Sequence, residues 1–467
     1  MLSNGDKQRY EHIMLLLETS SGPLEVDLDR IAEVLQPAAH VPYAPPHVFP
    51  MSTPTFASDP GCERPRPGRK PLGIYIHIPF CRYACNFCFY VKQIGASRDD
   101  MERYVHGVRS ELQALPQGAP LAQLYMGGGT PTALPPHLLD SVLAAAFGRM
   151  TRSRESVHTV ECSPETLTPD HLGVLANHHV QRVSMGIQTL RDEILATVHR
   201  RHSAKEAIDA MDLLVESGRT VNVDLIYGLP GQEEEDFRQD FKEIAARGAH
   251  SVNAYSLRVN ERTPVLRLLR EEERLELSRL IRWRAVVRRT ATELGYRQTH
   301  WQRFTRDGDA YELDLTSDHL FAAGVSARSF LDDTVYKNIS TIPAYLSRIE
   351  SGRSPVEEIF RLDDEHRKTY FVTRTLGAGK ALDMPEFQSR FGCSFLDVYG
   401  SIVERLEDTG LITEKDNHLS MTATGTLVYD LITLAFYPQP LQEWLEDRHA
   451  LAIKRRSPQP SSLRASK

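Results

Sequence analysis

From Gly73 to about Val259, short runs rich in β-branched and aromatic residues alternate with longer stretches whose apolar residues recur every three or four positions. Gly73–Ile78, Leu121–Tyr125, Val157–Glu161, Arg182–Gly186, Val221–Ile226 and Ser251–Leu257 read as strands. Asp99–Leu115, Pro136–Phe147, Thr168–Asn177, Ala204–Ser217 and Glu234–Arg247 read as helices. Such alternation builds right-handed βαβ units on a parallel sheet. It predicts an α/β fold with a partial (β/α)6 TIM-like barrel, in which chemistry gathers at the C-terminal ends of the strands.

The flanks have other patterns. Lys7–Glu18 has the spacing of a short amphipathic helix, and the prolines from Pro37 to Pro71 favour an extended linker. A charged helical stretch covers Glu261–Leu294, followed by mixed segments to about Ile349. Asp363–Phe436 then reads as a compact module, with helices at Pro385–Phe391 and Phe395–Thr409. A hairpin over Gly410–Thr422 turns on Lys415-Asp416-Asn417. This is a mostly helical, winged-helix-like outline, serving either DNA binding or as a structural cap. The acidic chain favours the cap. The domains expected are an extension over 1–70, the barrel over 71–260, its completion and a connector over 261–350, the C-terminal unit over 351–445 and a disordered tail over 446–467.

A formal charge of −7 over 467 residues gives no reason to expect a nucleic-acid partner. No run approaches the roughly 20 apolar residues of a membrane span, and Ile13–Leu17 is too short for a secretion signal. A cytoplasmic location with no membrane partner is expected. Of six cysteines, Cys81, Cys85 and Cys88 fall within eight residues, which points to metal rather than disulfides. Cys62, Cys162 and Cys393 are scattered and read as incidental or buried thiols.

The spacing Cys-x3-Cys-x2-Cys follows directly on the first strand and suits one face of an iron–sulfur cubane. With three ligands, one iron stays open. Zinc is the competing reading, with His77 or His106 as a fourth ligand, but structural zinc favours two separated ligand pairs. Later strands end in Gly127-Gly-Gly-Thr130, Glu161-Cys-Ser-Pro-Glu165, Ser184-Met-Gly-Ile-Gln188 and Asp224-Leu-Ile-Tyr-Gly-Leu-Pro230. A polar or glycine-rich rim on the cysteine side describes a cofactor site. His199-Arg-Arg-His202 reads as a helix-end cluster serving Arg200 rather than a basic patch. His300 and Trp301 read as substrate contacts or, more simply, as connector packing.

Together with Tyr75-Ile-His-Ile-Pro-Phe-Cys81, these stretches resemble the radical S-adenosylmethionine (SAM) superfamily, in its HemN-like branch of oxygen-independent coproporphyrinogen III oxidases. A weaker echo lies at Gly324-Val-Ser-Ala-Arg-Ser-Phe330. The resemblance implies a 4Fe–4S cluster on Cys81, Cys85 and Cys88, with SAM chelating the open iron. Reductive cleavage of SAM then gives a 5′-deoxyadenosyl radical, the electron coming from a donor such as flavodoxin or ferredoxin. By motif position, Gly128, Gly129 and Thr130 meet the methionine part of SAM. Glu161, Gln188, Arg200 and Asp224 hold the rest, Tyr75 lies against the cluster loop, and Phe87 borders a second SAM.

Some family features are missing. Phe89 and Tyr90 follow Cys88 where the oxidase carries a further cysteine, and the oxidase's N-terminal Pro-Arg-Tyr stretch is reduced to His40-Val-Pro-Tyr-Ala-Pro-Pro46. The His-Asn-x-x-Tyr-Trp segment of the related haem chaperones is not found between Asp307 and Phe330. These departures favour a methylase or cyclopropanase of natural-product pathways (class C), which transfers one carbon from the second SAM to an unsaturated small-molecule substrate. Tyr90 is the candidate catalytic residue near the radical. The alternatives are oxidative decarboxylation of coproporphyrinogen III, or haem binding as a chaperone.

Overall fold

The computed structural model describes residues 14–19, 22–35, 57–65, 67–68, 70–152, 156–259, 263–270, 273, 277–306 and 319–444. Six strands lie side by side, parallel and in chain order: β1 (Leu72–Ile78), β2 (Ala119–Gly128), β3 (His158–Cys162), β4 (Arg182–Gln188), β5 (Thr220–Tyr227) and β6 (Ser251–Ser256). Between them run α1 (Arg98–Leu112), α2 (Pro136–Phe147), α3 (Pro169–Asn177), α4 (Ala204–Glu216) and α5 (Glu234–Ala246). The helices start where the side chains can satisfy free amides. Ser97 with Asp100 and Ser203 with Glu206 form capping boxes at α1 and α4.

A seventh parallel strand, β7 (His319–Ala323), joins the free side of β1. Beyond it run the antiparallel strands β8 (Arg328–Leu331), β9 (Thr334–Asn338) and β10 (Val356–Arg361), and then Ala57–Ser58. The hairpin Arg297–His300 with Arg303–Thr305 extends the other side, next to β6. The sheet therefore ends at two free edges among the described residues, and the barrel is partial.

Side chains alternate across the strands as the twofold period requires. In β1, Leu72, Ile74, Ile76 and Ile78 share a core with Val105, Val108 and Leu112 of α1, while Tyr75 and His77 point the other way. That other face is polar deep in the barrel. Arg182, Ser184, Asn222, Ser251 and Asn253 are buried there and joined by hydrogen bonds. Buried polar groups are affordable only when paired like this.

The C-terminal unit has its own core around Phe387, Phe395, Tyr399 and Leu406. Helices Met384–Phe391 and Phe395–Asp408 precede the hairpin Ile412–Lys415 with His418–Met421, whose turn residues Asp416 and Asn417 have φ of 52° and 61°. Leu382–Asp383 adds a third strand to this wing. The unit is fastened to α6 (Leu277–Glu293) by the buried Arg284, which donates to both carboxylate oxygens of Asp430 at 2.8 and 2.6 Å. Asp430→Asn leaves that guanidinium short of a countercharge. It should cost about 3 kcal/mol of stability, read from urea denaturation.

The N-terminal expectation needs correction. Met14–Thr19 is a β-strand paired with Gly22–Asp27 rather than the end of a helix. Leu15 and Leu17 are buried between exposed neighbours, a strand's period, and the pair packs on α6. Residues 7–13, the motif at 40–46, most of the proline-rich linker, the 307–318 portion of the connector and the tail lie outside the described residues.

Candidate active site

The cysteines sit on a loop that the structure anchors at several points. Phe80–Cys81 pairs with Gln93–Ile94, and the Gln93 amide donates to the Pro79 carbonyl at 2.7 Å. Lys92 donates to the Cys88 carbonyl at 2.8 Å, and the Asn86 amide donates to that of Val198 at 3.0 Å. All three thiols line one cleft of about 420 Å³ at the C-terminal ends of the strands, where the barrel rule places chemistry. Burial pushes the Cys81 thiol up to about 11, with the Thr130 hydroxyl at 3.7 Å pulling it back. The Cys85 sulfur accepts from Arg200 at 3.7 Å.

Across the loop lies the glycine turn. A Cβ on Gly127 would stand 2.6 Å from the Glu161 carboxylate, and one on Gly128 would stand 2.5 Å from the His77 ring. On Gly129 it would press the backbone of Pro79 and Phe80 at 2.8 Å. Gly128 also has φ 116°, open in practice only to glycine. The turn is thus fitted between the cysteine loop and Glu161.

Glu161 accepts from the Tyr125 hydroxyl at 2.5 Å and the Gly128 amide at 3.1 Å. Burial raises its carboxyl to about 7; the bonds from Tyr125 and Gly128 oppose the rise, and the charge of Asp224 adds to it. Asp224 accepts from Asn222 and Asn253 at 2.8 Å each and from Ser184 at 3.1 Å. Gln188 stands on a bulge between β4 and β5 with φ 74°, a strained conformation for a residue with a side chain. Arg200 donates to Ser163 at 3.1 Å and to the Gly186 carbonyl. It follows the short helix Asp192–Thr197, and His202 of the same cluster lies 3.5 Å from Glu165.

The cleft brings together Cys81, Cys85, Phe87, Cys88, Tyr90, Gly128, Gly129, Thr130, Glu161, Gln188, Arg200 and Asp224. Tyr75 stands behind the wall. Its hydroxyl meets His77 Nδ1 at 3.1 Å, and His77 Nε2 meets the Val91 carbonyl of the cluster loop at 3.3 Å. With both ring nitrogens engaged, His77 does not serve as a fourth ligand, and His106 is exposed on α1 away from the cleft. Trp301 stacks on Tyr429 outside the cleft, so the packing reading of that residue holds.

Several cleft residues had no individual role assigned from the sequence, Glu165 although it stands in the motif that ends the third strand. Glu165 lies beside Arg200; burial opposes its ionisation, yet His202, Arg200 and Ser163 hold its carboxyl down at about 2. Tyr255, Arg258 and Gln302 also line the cleft. Tyr255 and Arg258 lie at and just beyond the end of β6, where a rim position signals them. Gln302 comes from a hairpin turn with no motif.

Three thiols in one cleft, an arginine against one of them and a glycine cradle shaped by Glu161 fit an open-iron cluster with SAM beside it. They define a radical SAM protein. The family model "Radical SAM superfamily" matches residues 75–244 and "HemN C-terminal domain" matches 378–428. These two matches support the HemN-like branch of that superfamily. It is 26% identical over 369 residues to the heme chaperone HemW of Lactococcus lactis subsp. lactis, covering 76% of this chain and 95% of that protein. It is 25% identical over 405 residues to the oxygen-independent coproporphyrinogen III oxidase of a Synechocystis strain, covering 79% and 85%. The solved coproporphyrinogen III oxidase (HemN) of Escherichia coli superposes with a TM-score of 0.73 at 22% identity, covering 83% and 96%, and so shares the fold. No helix among the described residues is long and apolar enough to cross a membrane.

Proposed function

We propose that this protein turns SAM-derived radical chemistry on a tetrapyrrole, by oxidative decarboxylation of coproporphyrinogen III or a close relative. The carrying observation is similarity, over three quarters of the chain, both to a coproporphyrinogen III oxidase and to a heme chaperone, two proteins whose names share a tetrapyrrole. Neither name points to one-carbon transfer onto a natural product. That second reading rests on Phe89 and Tyr90, which line the cleft where the oxidases carry a cysteine.

Cys81, Cys85 and Cys88 would hold the cluster, and Gly128, Gly129, Thr130, Glu161, Gln188, Arg200 and Asp224 the SAM, with Phe87 bordering a second SAM. When bound, the cluster supplies an electron from a flavodoxin- or ferredoxin-type donor, and SAM the 5′-deoxyadenosyl group that removes hydrogen. The protein's part is placement and exclusion of water. Arg200 sets a positive charge beside the thiolates and suits a carboxylate, and Glu161 suits ribose hydroxyls. Tyr90, at the mouth, would face the substrate.

The test is anaerobic reconstitution with iron and sulfide, then dithionite and SAM deuterated in its methyl group, with and without coproporphyrinogen III. Unlabelled 5′-deoxyadenosine, formed faster with coproporphyrinogen and accompanied by decarboxylated product, is expected. Deuterium in the 5′-deoxyadenosine would instead establish methyl abstraction and one-carbon transfer. Retention of haem without turnover would make the protein a chaperone.

A pH dependence follows from Glu161. With its carboxyl at about 7, the ionised fraction rises about tenfold from pH 6 to pH 8. SAM affinity, measured by equilibrium dialysis, should rise by about that factor and then level off. Stability moves oppositely. Between the ordinary carboxylate range and about 7 the folded protein keeps a proton that the unfolded chain releases, so stability falls as pH rises through that window.

A further inference from the structure

Gln302 lines the cleft, yet the C-terminal unit holds its side chain. Its backbone carbonyl accepts from the Ala254 amide of β6 at 2.8 Å, which fixes its place on the rim. Its side-chain Nε2 donates to the Tyr429 hydroxyl at 3.0 Å. Tyr429 is 3% exposed at the start of the helix Tyr429–Ala435 and has almost no freedom. Trp301 stacks on it at 5.1 Å and 18°, and its indole N–H is tied to the Leu376 carbonyl at 2.8 Å. The Arg284 guanidinium lies 4.6 Å from the Tyr429 ring centre while gripping the neighbouring Asp430.

A terminal amide carries one acceptor and one donor end. With Nε2 turned to Tyr429 and one of its two N–H groups given there, the carbonyl oxygen is the end of the amide that no hydrogen bond occupies among the described residues, and it is not buried away from solvent. We propose that Gln302 is a specificity residue that offers this oxygen to an N–H group of the substrate, and that Tyr429 is the positioning residue that sets the amide's orientation. This rests on the tetrapyrrole reading, under which the N–H groups are those at the centre of the macrocycle. The carboxylates of Glu161 and Asp224, which also line the cleft, are already hydrogen-bonded, to Tyr125 and to Asn253. A neutral acceptor recognises N–H without the general attraction for cations that a further carboxylate would add. The C-terminal unit then belongs to the site.

The test uses the reconstituted full-length protein, with 5′-deoxyadenosine formation measured against coproporphyrinogen III and, separately, against SAM. Gln302→Leu and Tyr429→Phe should each raise KM for coproporphyrinogen about tenfold, the factor for one lost hydrogen bond, with kcat and KM for SAM within about twofold of the parent. The double variant should be no worse than either single one. Asp430→Asn loosens the same joint but keeps the hydroxyl; it should lower the denaturation midpoint and leave KM near the parent value. A shift in KM for SAM would place Gln302 against SAM and overturn the assignment. An unchanged Tyr429→Phe, or an Asp430→Asn as impaired in KM as Tyr429→Phe, would overturn the positioning role. If coproporphyrinogen leaves 5′-deoxyadenosine formation by the parent protein unchanged, the tetrapyrrole reading fails, and the N–H assignment fails with it. If the parent responds and the variants do not differ from it, only the inference fails.

Discussion

Cys85→Ser should leave the reconstituted protein without the visible absorbance of a cluster and bring 5′-deoxyadenosine formation to background. Cys81, Cys85 and Cys88 line the cleft from one loop; Cys62 and Cys393 are not among its lining residues. Cys162 does reach the cleft, but it is 5% exposed and stands on β3, apart from the loop that carries the other three, so it is not placed to replace Cys85. Serine is nearly the size of cysteine, and the loop keeps its anchors at Pro79, Val198 and Cys88. The change therefore removes a ligand while the fold stands. Far-ultraviolet circular dichroism should match the parent, and Cys393→Ser should keep full cluster absorbance.

Gly128→Ala should be the most damaging change of a single methyl group at the site. The new Cβ meets the His77 ring at 2.5 Å in a conformation with φ 116°, and His77 is pinned by Tyr75 and Val91. Backbone strain and overpacking add to about 3–5 kcal/mol, read as a drop in the denaturation midpoint. SAM binding should be lost with it, because the Gly128 amide is one of the donors holding Glu161. Gly127→Ala provides the contrast. Its Cβ presses only the end of the Glu161 side chain, so the protein should fold with a weakened SAM affinity.

The sequence made the barrel legible because each core strand carries its own period and each helix its own cap. Pro136–Phe147 is bounded by proline and glycine, and its observed limits coincide with those read from the chain. The rim was legible where function concentrates unusual residues, as in three consecutive glycines or three cysteines on one loop. It was not legible where the site borrows a residue from packing. Nothing about Gln302 distinguishes it along the chain; its role comes from Tyr429, more than a hundred residues away, arriving beside it. Glu165 stood in a rim motif, but its pairing was not legible, since that depends on Arg200 and His202 folding across from another loop. Met14–Thr19 was misread because six residues are too few to separate a twofold from a 3.6-residue period.

The two-residue strand Ala57–Ser58 pairs with Val356–Arg361 at the outermost edge of the large sheet. Sheet edges with free amides recruit further strands, from the same chain or from another copy. Among the described residues the sheet ends with this short strand, which leaves little template for such growth. A shortened form lacking the segment before Asp59 would carry β10 as its bare edge, with Phe360 and Ile359 in the exposed ladder, and its characteristic failure would be self-association into strand-paired aggregates rather than loss of chemistry.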